Sequence, residues 1–256
     1  MNLLIGLPTA GKPTEPFLNS LKAVRWPASL GRVERIVVTG NFVPGQRELI
    51  VRRALAGEAD IILMIDDDIV LPPDGVSELY ETLALHPDTA IAGALYYSRD
   101  GKRPMVVSQW RASDTTDAIV PAFTGKGSVE VDGVGFGCVL LRTAALRALS
   151  PPYFGVQIAV DMARNDVRLC NEDYLFCERL RSAGFTIRLD ARVHCGHFDR
   201  EQAILLPREW ESEEATGAPR MYIRQPDGVE ALVPFVDGGA HSREEHEYGE
   251  LDYLFL

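Results

Sequence analysis

Ile61-Ile62-Leu63-Met64-Ile65, followed at once by Asp66-Asp67-Asp68, is the stretch on which the reading of this chain turns. Five consecutive apolar residues fit a strand covered on both faces of a sheet. The strand then ends and three carboxylates appear together. In open α/β sheets, ligands collect outside the carboxyl ends of the strands. Three adjacent acids repel one another unless a cation or basic groups neutralise them. Alternate residues at a strand end point the same way, so Asp66 and Asp68 can share one ligand, while Asp67 faces solvent or a helix end. Hard oxygen ligands suit Mg²⁺ or Mn²⁺, ions whose shells are usually completed by substrate phosphates. The competing reading is an acidic turn capping the helix that begins near Pro73, but the acids come too early to cap it directly.

Before this point the chain alternates strand and helix patterns. Asn2–Leu7, Arg35–Thr39 and Ala90–Leu95 read as strands. Thr14–Val24, with Pro16 in its first turn, Gln46–Ala56 and Pro73–His86 read as helices. This order predicts an α/β fold with a mostly parallel central sheet flanked by helices. After Tyr96 the rhythm changes. Arg103–Gln109 and Ala118–Phe123 read as strands, and Gly133, Gly135 and Gly137 punctuate the turn into a strand at Cys138–Arg142. Asn171–Ala183 is a helix stopped by Gly184, with strands at Thr186–Leu189 and Arg192–Cys195 behind it. Arg208–Pro219 reads as an acidic linker, Tyr222–Phe235 as a hairpin around Asp227-Gly228, and Leu251–Leu256 as an apolar tail that must dock. The organisation expected is one domain over residues 1–200 and a small C-terminal extension over 201–256.

Composition narrows the function. The 256 residues carry a formal net charge of -11, which disfavours nucleic acid as a partner because little is gained from counterion release. No apolar stretch approaches the ~20 residues that span a bilayer, and the start lacks a basic signal region, so a cytoplasmic protein is expected. Cys138, Cys170, Cys177 and Cys195 are scattered and read as buried free thiols. Oligomeric state leaves no trace in the sequence. An aspartate pair after an apolar strand also occurs in haloacid-dehalogenase-like phosphatases, where the first acid is a nucleophile, here Asp66. That class carries its nucleophile on an early strand, whereas about 60 residues and two strands precede Asp66.

The motifs taken together, over about Leu3 to Asp199, resemble a family two-type glycosyltransferase with the GT-A fold. Leu7-Pro8-Thr9 resembles the end of that family's first strand, which borders the nucleobase. Arg47 falls where related sequences carry an arginine near the nucleotide, although the next residue is Glu48 where Asn is common. Asp66-Asp67-Asp68 with Pro72 resembles the D-x-D motif and its trailing proline. Asp132-Gly-Val-Gly-Phe-Gly-Cys138 resembles the glycine-bearing stretch beside the sugar, and Gly135 is assigned to it. Asn171-Glu172-Asp173 resembles the motif that supplies the catalytic base, and Val193-His-Cys-Gly-His197 the late strand with a metal-binding histidine.

The resemblance implies transfer of a sugar from a nucleoside-diphosphate sugar to an acceptor hydroxyl, with inversion, aided by Mn²⁺ or Mg²⁺. The acceptor is left open among a saccharide, a lipid carrier, a protein and a modified nucleobase. Asp68 is the first choice of metal ligand, with Asp66 shared between metal and ribose and His197 completing the site; His194 is the alternative. Asp173 is the expected base, with Glu172 as alternative. Against this stands a capping role, since Asn171 is a good N-cap and acids suit a first helical turn. The glycines are read as room for the sugar, or else as a crowded bend. Tyr96, Tyr97, Arg99 and Trp110 are candidates to line an acceptor site, or core and edge residues. Cys195 between two histidines lacks a partner pair with zinc spacing. A binding module that holds a nucleotide sugar without turning it over is the rival from outside enzymology.

Overall fold

The computed structural model describes residues 1–99, 101, 103–109, 127–162 and 165–200, and beyond them the strands at 204–206, 210–212, 219–224 and 230–234. The expected strand at Ala118–Phe123, Trp110 and the apolar tail lie outside the described residues.

The chain opens with β1 (Leu3–Thr9), every residue of which is buried. Helix α1 (Glu15–Lys22) starts where Thr14 Oγ1 accepts the Phe17 N–H at 3.3 Å, and it buries Phe17 and Leu21. Edge strand β2 (Val33–Thr39) alternates exposed and half-buried residues. Helix α2 (Val43–Ala56) begins three residues earlier than its apolar spacing suggests, because Pro44 is tolerated in a first turn. Then come β3 (Ile61–Ile65), the two-residue β4 (Ile69–Val70), α3 (Gly75–Leu85) and β5 (Thr89–Leu95).

Short strands β6 (Val106–Val107), β7 (Ser128–Val131) and β8 (Gly133–Val134) lead to β9 (Cys138–Arg142) and the single turn α4 (Thr143–Leu146). A hairpin that the sequence reading did not anticipate, β10 (Gln157–Asp161) with β11 (Asp166–Cys170), precedes α5 (Glu172–Ser182). Gly184, at φ +90°, closes α5: its N–H bonds Arg181 O at 2.9 Å and the Phe185 N–H bonds Leu180 O at 3.1 Å, as a C′ glycine should.

The two strands expected at Thr186–Leu189 and Arg192–Cys195 are one, β12 (Thr186–His194), whose register on β5 shifts between Asp190 and His194. After it come β13 (Gly196–Asp199) and β14 (Ile204–Leu206), which pair with each other. The stretch expected as a linker carries β15 (Trp210–Ser212), paired to β16 (Pro219–Arg224). β16 and β17 (Glu230–Pro234) pair antiparallel, as the expected hairpin requires, with its turn outside the described residues.

Seven strands form the central sheet in the order β2-β1-β3-β9-β5-β12-β7. Five run the same way; β9 and β7 oppose them. Two apolar layers cover its faces, and β3 serves both: Ile62 and Met64 join one, Ile61, Leu63 and Ile65 the other. That division is why its sequence shows no polar alternation. β7 departs from a parallel sheet at its edge, and reversed β9, between β3 and β5, departs from it inside. The reversal brings the amino end of β9 to the carboxyl ends of its neighbours, so Gly137 meets both Asp66 and Tyr96: the Asp66 N–H donates to Gly137 O, and the Gly137 N–H donates to Tyr96 Oη, each at 2.9 Å.

Candidate active site

Each of the three carboxylates after β3 is met by its own arginine. Arg47 Nη2 donates to both oxygens of Asp66 at 3.1 Å, Arg200 Nη2 donates to Asp67 Oδ1, and Arg99 Nη2 donates to Asp68 Oδ2 at 2.8 Å. The repulsion expected of three adjacent acids is thus relieved by basic groups drawn from α2, from the end of β13 and from the segment after β5.

Arg47 is buried on α2 and reaches further. Its Nη1 donates to Glu172 Oε1 at 2.7 Å, and its guanidinium lies 5.4 Å from the centre of the Phe136 ring. Burial works against its charge, but Asp66 first, then Asp173 and Glu172, outweigh that and hold its proton more tightly than in water. Burial likewise raises Asp66 above the ordinary carboxylate range, with Arg47 opposing. Expected beside a nucleotide, Arg47 here ties the end of β3 to the start of α5. Glu48, the unexpected residue after it, accepts the N–H groups of Tyr153 at 2.7 Å and Phe154 at 3.2 Å.

Asp67 faces away from its neighbours, as alternation demands. Its carboxylate accepts the Thr9 hydroxyl, and its carbonyl accepts the Thr14 N–H at 2.9 Å. Burial raises its pKa, with Thr9 and then Arg200 opposing. Thr9 is fixed from the other side: its carbonyl accepts Gln46 Nε2 at 2.7 Å and the Gly40 N–H at 2.9 Å. Pro8 is buried in β1 opposite Val38.

Asp68, buried at 3% exposure, turns toward His197. His197 Nδ1 lies 2.7 Å from Tyr97 O, a carbonyl that can only accept, so Nδ1 carries a hydrogen. Nε2 is then the free position, and it stands 3.6 Å from Asp68 Oδ2. As imidazole it presents a lone pair to a carboxylate; as imidazolium it presents an N–H. The pair therefore calls for positive charge between its members, a proton or a cation. The separation exceeds a good hydrogen bond, so the two atoms face each other without one. Burial opposes ionisation of Asp68; the facing His197, then Arg99 and Arg200, outweigh it and keep its pKa below the ordinary value.

The three expected metal ligands do not converge. Among the described residues no group of three or more His, Cys, Asp or Glu side chains could hold a metal ion, because Asp66 is turned to Arg47. His194 lies elsewhere: it contacts the Ala191 backbone and the field of Asp190, and burial lowers its pKa to about 4.

Asp173 sits in the first turn of α5, buried at 7% exposure. Burial pushes its pKa up to about 6; Arg47 opposes, and Glu172 and Asp66 add to the rise. Its Oδ1 accepts the Tyr174 N–H at 2.8 Å. The capping alternative divides. Asn171, the N-cap, makes no side-chain cap bond, so Asp173 satisfies a first-turn donor that Asn171 leaves. One oxygen of Asp173 is thus committed to the backbone, while Oδ2 is not part of that bond.

A Cβ at Gly135 would stand 2.2 Å from Tyr96 Oη, and one at Gly137 2.6 Å from Tyr96 Cζ. At Gly133 it would meet Tyr174 at 2.9 Å. The side of Gly135 and Gly137 on which a Cβ would stand is filled by the Tyr96 ring, which packs edge-on against His197 at 5.8 Å. Tyr96 and Tyr97 are buried core residues rather than an exposed acceptor lining. All four cysteines are buried and free, as expected. Arg200 and the Tyr96 role were missed by the sequence reading. Their partners lie 133 and 41 residues away, and no local signal points to them.

Comparison with known proteins identifies the fold and the family. No curated protein sequence matches the chain. A197 from STIV has a crystal structure that aligns over 96% of this chain and 100% of its own, at TM-score 0.56 and 17% identity. GalNAc-T7, crystallised with UDP, GalNAc and Mn²⁺, aligns over 77% of this chain at TM-score 0.53 and 9% identity, and the match spans 43% of its length. At these identities the likeness is one of fold, and the fold is GT-A. No helix among the described residues is long and apolar enough to cross a membrane. The family model described as glycosyl transferase family group 2 matches residues 61–211, more than half the chain and all of its acidic, glycine and histidine motifs, so the chain belongs to that family and is a glycosyltransferase rather than a phosphatase.

Proposed function

We propose that the chain transfers a glycosyl group from a nucleoside-diphosphate sugar to an acceptor hydroxyl, with inversion, using Asp173 as general base. The observation that carries this reading is the Asp173 carboxyl: buried, tuned to about pKa 6, and beside the Arg47–Asp66 pair at the carboxyl edge of the sheet. A base near the working pH combines a useful ionised fraction with real proton affinity. Asp173 takes the acceptor proton as the hydroxyl attacks the anomeric carbon. Arg47 holds Glu172 and Asp66 and steadies the base by its charge. Pro8, Thr9 and Asp67 border the nucleotide, and Asp66 its ribose. GalNAc-T7 was crystallised with UDP and Mn²⁺ on the same fold, which supports a nucleotide donor here.

Asp68 and His197 would hold a divalent cation, Mn²⁺ or Mg²⁺, which when bound neutralises the charge of the diphosphate leaving group. Residues 1–200 form the catalytic domain in this reading, with 201–256 as an extension whose first strand, β14, pairs with β13. The test is turnover by Asp173→Asn. This change keeps shape and removes the basic lone pair, so nucleotide binding should stay within about twofold while transfer falls about 10²–10⁴-fold. Near-normal transfer rejects the base assignment and moves it to Glu172.

A further inference from the structure

The three arginines that meet the acidic triplet are not equivalent. Arg47 is buried at 4% exposure and bonded to two acids. Arg200 is anchored by Asp67, both through its carboxylate and its carbonyl, and by the Lys12 carbonyl. Arg99 has a side chain 69% exposed, and its sole tie among the described residues is to Asp68 Oδ2. That oxygen is the one facing His197 Nε2. Beside Arg99, the Ser98 N–H donates to Arg103 O at 2.8 Å, and Gly101, at φ +69°, donates to Ser98 O at 2.7 Å. A long side chain this exposed can change partner without moving the core.

We propose that Arg99 is an exchangeable counter-ion, which neutralises Asp68 in the cation-free protein and passes to the diphosphate of the donor when a divalent cation takes Asp68. The inference rests on the reading of Asp68 and His197 as the cation-holding pair. A guanidinium and a divalent cation at one carboxylate oxygen repel each other and compete for its lone pairs, so cation binding loosens the arginine's hold. A diphosphate is then the nearest class of anion that offers paired oxygens to its fork. Arg99 acts as a positioning residue for the donor, and it keeps the unliganded site from carrying an uncompensated buried acid.

The exchange predicts effects of opposite sign from one substitution. Mn²⁺ binding to the full chain without nucleotide is followed by the paramagnetic resonance of free Mn²⁺. Nucleoside-diphosphate binding is followed by calorimetry with saturating Mn²⁺, using whichever of ADP, CDP, GDP, UDP and dTDP stabilises the wild-type protein most. Arg99→Ala should bind Mn²⁺ about two- to fivefold more tightly, because the competitor is gone, and the nucleotide about tenfold more weakly. Arg99→Lys should recover part of the nucleotide affinity. Matched melting curves confirm that this exposed position leaves the fold intact. Unchanged Mn²⁺ affinity, or loss of affinity for both ligands, overturns the exchange alone, provided that wild-type nucleotide binding depends on Mn²⁺. Wild-type nucleotide binding that ignores Mn²⁺ overturns the reading of Asp68 and His197, and the exchange with it.

Discussion

Asp68 Oδ2 and His197 Nε2 face each other across 3.6 Å, with the other imidazole nitrogen fixed on the Tyr97 carbonyl. The orientation commits Nε2 to Asp68, whereas His194 has the Ala191 backbone of its own strand as its partner. His197→Ala should therefore weaken Mn²⁺ affinity by about tenfold or more, and His194→Ala should leave it nearly unchanged. A manganese titration of both variants checks the ranking; the reverse order moves the ligand role to His194.

Asp173 gives a prediction in pH. Its native pKa of about 6 lies above the ordinary 3.8, so the fold favours the protonated acid. That contribution to stability is complete below about pH 4 and is lost as pH climbs through 6, on the order of 2–3 kcal/mol in all. Asp173→Asn should therefore melt higher than wild type at pH 8 while losing transfer. A purely capping role predicts a small loss of stability and intact turnover. For the wild-type enzyme, kcat/KM should rise tenfold per pH unit below about 6 and level above it, unless a second group titrates there. Melting curves and rates from pH 5 to 8 read both effects.

Arg47 joins the two halves of the site, and its removal should cost more than any surface pair. Arg47→Met leaves the part-buried Asp66 and Glu172 without their shared partner, a loss of up to about 3–5 kcal/mol. Because Arg47 lowers the Asp173 pKa, the midpoint of the rate profile should also move to higher pH. Urea titration measures the first effect and the pH profile the second; a variant as stable as wild type contradicts the structural role.

The parts of the fold legible in the sequence are those whose signal is local. The apolar run at Ile61–Ile65 gives β3 with its true bounds, and Cys138–Arg142 gives β9 likewise. The direction of β9 was not legible, because a fully buried run carries no sign of which way it lies beside its neighbours. Positions of Asp66, Asp68, Asp173 and His197 at one sheet edge followed from strand ends and motif order. The arginine partners did not: Arg47 reaches Glu172 across 125 residues and Arg200 reaches Asp67 across 133, so only the folded chain pairs them. The packing of Tyr96 against Gly135 was illegible for the same reason, since the two are distant in sequence.

That packing gives a further test. Gly135→Ala places a methyl against the Tyr96 hydroxyl and should cost about 1–3 kcal/mol. Tyr96→Phe alone loses the bond from the Gly137 N–H. In the Tyr96→Phe background the cost of Gly135→Ala should shrink, because the nearest clashing atom is gone. A double-mutant cycle of melting free energies measures this coupling. Strict additivity would mean that the tyrosine does not occupy the glycine space.

Donor turnover tests the account most directly. Nucleotide release is measured with a panel of nucleoside-diphosphate sugars, with Mn²⁺ and with a chelator in its place. The account predicts that one donor is consumed with Mn²⁺, that the chelator stops the reaction, and that Asp68→Ala abolishes it in a protein that still folds. Release of nucleotide at the same rate in the chelator, or by Asp68→Ala, would contradict the account.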